Sequence, residues 1–310
     1  MIYTVTLNPA IDRELVVPAI EFDAVLRAQA SRVDWGGKGF NVSRMLMSLG
    51  MPSTALGFAG GKTGEMLRDG LHSLGISTNF VWIDGETRTN ISIVDRDSGR
   101  YIKVNEPGPL IKSSQFEQML AEVKRLARPK DWWVLSGSLP PGIPQNGYAQ
   151  LIELLHIAQA HAILDCDGEP LRLGCAARPY LVKPNDLEAA RLTGCTVAST
   201  QDAIQAARNM IDMGPEQVVI SMGNNGAVLV NQDGAWRASS PSIQPRNPIG
   251  AGDSLVGGLV WALASSMPIQ ESLTWGIACG AATASLSGTE VGSEPLVRGL
   301  QSGIAIEWVN

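Results

Sequence analysis

Short apolar runs rich in β-branched residues recur along the chain. They predict strands at Ile2–Leu7, Thr54–Ala59, Asn79–Ile83, Trp132–Ser136, Ala162–Asp165, Tyr180–Lys183, Gln217–Ser221 and Ala227–Asn231. Between them, apolar residues return every three to four positions over Ser113–Ala127, Tyr148–Gln159, Gln201–Met213 and Gly252–Ala264, the spacing of helices that bury one face. This alternation predicts an α/β fold, with a mainly parallel sheet covered by helices on both sides. Two stretches break the rhythm. Within 12–34, Glu14–Val17 and Val25–Val33 read as exposed strands. Within 87–105, Thr87–Val94 and Arg100–Val104 alternate like a hairpin around Asp95–Gly99. Strands inserted at two places form either a small sheet over a site or an edge extension of the main sheet. No internal repeat or low-complexity linker interrupts the chain, so 1–310 reads as one domain.

Composition narrows the function. Hydrophobic residues make up 45% of the 310 and charged residues 17%, enough apolar mass for one large core. Against 30 acidic residues stand 24 basic ones, with no run of five like charges, which argues against a nucleic-acid partner. The opening MIYTVTLNPAID carries neither the basic nor the apolar segment of a secretory signal. The longest apolar stretch, Leu255–Ala264, is too short and too glycine-broken to span a bilayer, so no membrane partner is expected. The four cysteines form no CxxC pair and only three histidines accompany them. Scattered thiols in a reducing, cytoplasmic setting are the expectation.

Two glycine clusters change the picture. Gly250-Ala251-Gly252-Asp253-Ser254, after Pro248-Ile249, opens directly into the apolar run LVGGLVWALA. Such a turn offers several unpaired backbone N–H groups at the positive end of a helix, an anion site suited to phosphate. Asp253 at its rim is either a base for a nucleophilic hydroxyl or a helix-terminus carboxylate. The second cluster, Trp35-Gly36-Gly37-Lys38-Gly39-Phe40-Asn41, joins backbone that can lie against a polyhydroxyl ligand to one cation and one amide. Two look-alikes fail. GAGDSL has leucine where a dinucleotide fingerprint needs its third glycine, which counts against a nicotinamide oxidoreductase. Gly60-Gly61-Lys62-Thr63 lacks the glycine at position 56 that a Walker A loop requires, Leu56 standing there.

The two clusters, in this order and more than 200 residues apart, resemble the paired signatures of PfkB-type carbohydrate kinases. The likeness extends through TLNPAID, SGSLP at Ser136–Pro140, KPNDLE at Lys183–Glu188 and SMGNNG at Ser221–Gly226. The first two of these segments resemble the branch acting on sugar phosphates, namely 1-phosphofructokinases, tagatose-6-phosphate kinases and 6-phosphofructokinases. The resemblance implies a ribokinase-like three-layer core, a small β-sheet lid that pairs two copies into a homodimer, and use of ATP with Mg²⁺. Fructose 1-phosphate is the expected substrate, tagatose 6-phosphate or fructose 6-phosphate the alternatives, and a non-catalytic sugar-phosphate sensor the rival of another class.

The resemblance also implies roles. Asp253 is the base and Gly250, Ala251 and Gly252 the anion turn. Asp12, Gly37, Lys38 and Asn41 hold the sugar. Arg88 and Asn90, with Ser138 and Arg27, hold the substrate's phosphate, where Arg88, Lys38 and Arg27 are expected to converge. Lys183, Asn185, Ser221, Gly223, Gly226 and Ala281 line the nucleotide site. Glu188 serves Mg²⁺, although N-x-x-E at a helix start also fits a capping box with Asn185. One departure from the family pattern is Asn247-Pro248, where many members carry Asp-Thr. It leaves kinase chemistry intact and bears on the sugar.

Overall fold

The computed structural model describes residues 1–247, 249–288 and 290–309. Pro248 of the glycine-turn motif thus lies outside the described residues. The strands are β1 Ile2–Thr6, β2 Ala10–Val17, β3 Ala30–Gly36, β4 Thr54–Gly60, β5 Ser77–Ile83, β6 Arg88–Asp95, β7 Tyr101–Val104, β8 Trp132–Ser136, β9 His161–Asp165, β10 Leu181–Val182, β11 Gln217–Ser221, β12 Ala227–Asn231, β13 Gly234–Ala238 and β14 Ile306–Val309. The helices are α1 Lys38–Ser48, α2 Gly61–Ser73, α3 Ser113–Leu126, α4 Gly147–Ile157, α5 Gly168–Ala176, α6 Asp186–Thr193, α7 Thr200–Ile211, α8 Ala251–Ala264, α9 Ile269–Ala284 and α10 Glu294–Gln301.

Ten strands form one sheet in the order β14-β13-β12-β11-β10-β9-β8-β1-β4-β5. From β5 to β11 every neighbouring pair is parallel, and β12, β13 and β14 add an antiparallel margin. Buried strands of a parallel sheet read as continuous apolar runs because both faces are covered. On β8, Trp133 and Leu135 enter a core shared with α3, α4 and α7, while Val134 enters the opposite core shared with α1 and α8. The result is three layers, helix–sheet–helix, as the sequence predicts.

The two rhythm breaks meet in a separate four-stranded sheet, ordered β3-β2-β6-β7. Its register settles which side chains share a face. Asp12 lies opposite Asn90, and one residue on, Arg13 lies opposite Val33 and Ile91, with Ile91 opposite Val104. Because side chains alternate along a strand, Asp12 and Asn90 face one way, and Val33, Ile91, Ile102 and Val104 the other. Those four are at least 37% exposed, so the outer face is bare and mostly apolar, with the exposed Arg13 among them. Here the structure corrects a boundary. The expected strand Val25–Val33 is loop until Ala30, because pairing with β2, from Ala10↔Gly36 to Val16↔Ala30, decides where β3 lies.

The Walker-like glycines also find their place. Gly60 ends β4 and Gly61 begins α2, and the Glu86 carboxylate takes the backbone N–H groups of Lys62 and Thr63 at 3.3 and 3.1 Å. The positive end of α2 is therefore sealed by the protein's own acid.

Candidate active site

The GAG turn forms where the sequence places it. Gly250 caps α8 with φ of 78°, a left-handed conformation that costs glycine little and other residues more. The amides of Ala251, Gly252 and Asp253 follow as first-turn donors without helical acceptors. The helix is apolar nearly all round and packs tightly on two neighbours. A Cβ on Gly257 would lie 2.8 Å from Met45 of α1, and one on Gly258 would lie 2.5 Å from the Trp275 carbonyl of α9. Close packing on α1 brings Asn41 within reach: its Nδ2 donates to Asp253 Oδ2 at 2.8 Å. Asp253 is 8% exposed. Burial foremost, and then the negative charge of Asp165, push its carboxyl up to about 6, against the pull of Lys38, the Asn41 hydrogen bond and Lys183. A carboxylate poised near neutrality at the mouth of an anion turn can take a proton from a hydroxyl.

Two lysines complete this centre. Lys38 opens α1, and its Nζ donates to Asp165 Oδ1 at 3.2 Å. Lys183 follows β10 and its Nζ lies 3.5 Å from the same oxygen. Burial works against the Lys38 charge, but Asp165, Asp253 and Glu188 outweigh it and raise its pKa. Lys183 is 4% exposed, and its Nζ lies 3.7 Å from where a Gly252 Cβ would stand.

On the inward face of the small sheet, Asn90 Nδ2 donates to Asp12 Oδ1 at 2.8 Å, and the Asp12 carboxylate lies against Gly36, where a Cβ would meet Oδ2 at 2.5 Å. Beside them, Arg88 donates through Nη1 to the Glu106 carbonyl at 2.7 Å and through Nη2 to the Asn8 carbonyl at 2.9 Å. Its Nε is buried without a partner, and among the described residues it forms no salt bridge. Asn8 Nδ2 reaches Ser138 Oγ at 3.4 Å. Buried polar atoms without partners recur here: Thr6 Oγ1, Asn8 Oδ1 and Asn90 Oδ1. Orphans of this kind are costly unless a ligand satisfies them.

Next to the GAG turn runs a cleft whose walls include Ser221, Gly223, Gly226, Ala251, Gly252 and Ala281, with Ile243, Leu255 and Ile277 as its apolar lining. Asn185 bridges to Ser221 at its edge, and its side chain accepts from Glu188 N at 2.8 Å while Glu188 Oε2 accepts from Asn185 N at 2.9 Å. The capping box is therefore formed. Among the described residues, no three His, Cys, Asp or Glu side chains gather to hold a metal ion.

The description "pfkB family carbohydrate kinase" matches residues 4–295. The chain belongs to the pfkB family of carbohydrate kinases. It is 36% identical to the 1-phosphofructokinase of Borreliella burgdorferi over 285 residues, 92% of each chain. Among solved structures it is similar to Escherichia coli phosphofructokinase-2 in complex with substrates and products, at 31% identity and TM-score 0.91, covering 97% of this chain and 98% of that one. Arabidopsis thaliana ribokinase, 20% identical with TM-score 0.78 over 97% and 98%, shares the fold. The chain is thus an enzyme, a sugar-phosphate kinase of this family with a ribokinase-like core.

Within that family frame the structure gathers most of the expected residues and moves two. Asp253, the GAG turn, Asn41 and Lys183 meet at one centre, and Gly37 caps α1 beside it. Asp12 and Asn90 pair, and Arg88 and Ser138 meet through Asn8. Lys38 forms no contact with Arg88 among the described residues: its ammonium donates to the buried Asp165. Arg27 sits on the exposed loop between β2 and β3, with no hydrogen bond or ion pair to the others among the described residues. Among the described residues the expected three-cation cluster is therefore absent, because Lys38 pairs with Asp165 and Arg27 stays on an exposed loop. Two participants escaped the sequence reading. Asn8 is one, and Asp165 is the other, its only signal being an acid at the carboxyl end of an apolar strand, the end at which open α/β sheets bind ligands.

Proposed function

We propose that the chain transfers the γ-phosphoryl group of ATP to a hydroxyl of a hexose phosphate, with fructose 1-phosphate as substrate and fructose 1,6-bisphosphate as product. The observation that carries this reading is the pairing of a buried, proton-seeking Asp253 with the open amides of the GAG turn. The acceptor hydroxyl gives its proton to Asp253 as it attacks the phosphorus in line. The amides of Ala251 and Gly252, with Lys38 and Lys183, meet the charge on the transferring group. The cleft from Ser221 to Ala281 takes the nucleotide. Asp12, Asn90 and Asn41 orient the sugar, and Arg88 and Ser138, with the Asn8 amide between them, meet its phosphate. Residues 1–310 form one catalytic unit in which the small sheet closes over the substrate and excludes water. Its bare apolar face suits pairing with a second copy. The preference for fructose 1-phosphate rests on the relatives named 1-phosphofructokinase, at 32–36% identity over most of the chain.

A coupled assay of ADP release tests the reading over a panel of free and phosphorylated sugars. Fructose 1-phosphate should give the highest kcat/KM and free fructose almost none. Equal turnover of free hexose would remove the sugar-phosphate assignment, and no turnover of any sugar would leave the sensor.

Glu188 fits a role beside Mg²⁺. One carboxylate oxygen closes the capping box, and the other, Oε1, makes no hydrogen bond among the described residues. A hard cation that keeps most of its waters needs one or two such oxygens nearby, and held there it would neutralise charge on the nucleotide's phosphates. Glu188→Gln keeps an oxygen for the Asn185 amide but removes the charge. The Mg²⁺ concentration for half-maximal rate should rise several-fold while the unfolding midpoint stays nearly fixed. An unchanged Mg²⁺ dependence would leave Glu188 a helix cap and nothing more.

A further inference from the structure

Asp165 stands at the end of β9, 1% exposed, and receives both Lys38 and Lys183 on one oxygen. One ammonium would suffice to neutralise it. Buried ion pairs are weak stabilisers, since desolvation cancels much of the attraction, so a buried carboxylate with two lysines suggests a task other than holding the fold. The surroundings name the task. Asp165, Asp253, Lys38 and Lys183 are two acids and two bases at one end of the sheet, and Lys183 lies against the anion turn. Without a carboxylate between them the two ammonium groups would repel each other.

We propose that Asp165 is a positioning residue of the phosphoryl-transfer centre, holding the charged ends of Lys38 and Lys183 beside the Gly250-Ala251-Gly252 turn and strengthening Asp253 as a base. The proposal rests on the reading of Asp253 as that base. Asp165 touches neither substrate in this account. Before the nucleotide arrives it keeps two cations ordered and charged where the transferring group will pass, so little reorganisation remains for the reaction itself. Its own negative charge, close to Asp253, favours the protonated form of that carboxyl and so sharpens its appetite for the hydroxyl proton. The groups facing Asp253 are few: Lys38 and Asn41 from α1, Asp165 from β9 and Lys183 after β10.

The test is the pH profile of kcat/KM for wild type, Asp165→Asn and Lys38→Gln, with thermal melting of each. Asp165→Asn should lower kcat roughly 10–100-fold. It should also move the acid limb to lower pH, because the charge that holds the proton on Asp253 is gone. Lys38→Gln should move the limb the opposite way, to higher pH, because a cation that favours the carboxylate is gone. A purely structural role would lower the melting point and leave both limbs in place. Limbs that coincide with wild type, or a kcat for Asp165→Asn within twofold of wild type, would overturn the proposal. If Asp165→Asn does not accumulate folded, Lys38→Gln carries the test alone, at a side chain 38% exposed, and an unmoved limb there overturns it too. A wild-type profile with no acid limb would instead remove Asp253 as the base, and this inference with it.

Discussion

Asp253→Asn will lower kcat roughly 10²–10⁴-fold while KM for ATP and for the sugar phosphate change little, because a general base acts in the transition state and not in binding. The substitution keeps the shape and can still accept from Asn41 Nδ2, so the folded protein should persist. The same carboxyl fixes the pH dependence. With its pKa raised to about 6, the base is present above that pH and lost below it. The wild-type kcat/KM should therefore decline as pH falls through about 6 and level off above it. A variant that keeps more than about a tenth of wild-type kcat would reduce Asp253 to a helix-terminus carboxylate.

Arg88→Ala will raise KM for the sugar phosphate roughly 10–100-fold and leave KM for ATP nearly unchanged. The magnitude follows from one charge-assisted contact, about 1.5–3 kcal/mol. The structure refines the mechanism behind it. Both Nη groups are already held by backbone carbonyls of Asn8 and Glu106, which orient the guanidinium without neutralising it. The buried Nε has no partner, and the charge has no carboxylate within salt-bridge distance among the described residues. A phosphate would supply what both lack. If KM for the sugar phosphate stays at the wild-type value while the melting point falls, Arg88 is a strut between β6 and the segment before β2, and the phosphate must be sought elsewhere.

What could be read from the chain follows a physical divide. The GAG turn and Asp253 were legible because an anion-binding helix start is one contiguous motif, and local geometry needs only local residues. The parallel sheet was legible because strands buried on both faces leave unmistakable apolar runs. Asp165 was not, since its role arises from β9 lying beside β10 and below the start of α1, a relation no local pattern encodes. The carboxylate that pairs with Lys38 is hidden for the same reason: the sequence shows a cation after two glycines, not which buried acid it meets. The start of β3 and the shortness of β10 were set by partners. β10 pairs at only Leu181 and Val182 before Pro184 removes a backbone donor. Margin strand β14, four residues long, leaves too little pattern to recognise.

The two-residue repeat of the small sheet has a consequence for how this enzyme can change. Asp12 and Arg13, or Asn90 and Ile91, are neighbours in sequence yet point to opposite sides, one toward the face that carries the Asp12–Asn90 hydrogen bond and one toward open solvent. Point substitutions can therefore alter the inner and the outer face separately, one residue at a time. A single inserted or deleted residue cannot, because it exchanges the two faces over the rest of the strand and spoils both at once. Divergence of this element should accordingly proceed by replacement within β2 and β6, with changes of length confined to the loops that join them, such as 18–29 and 96–100.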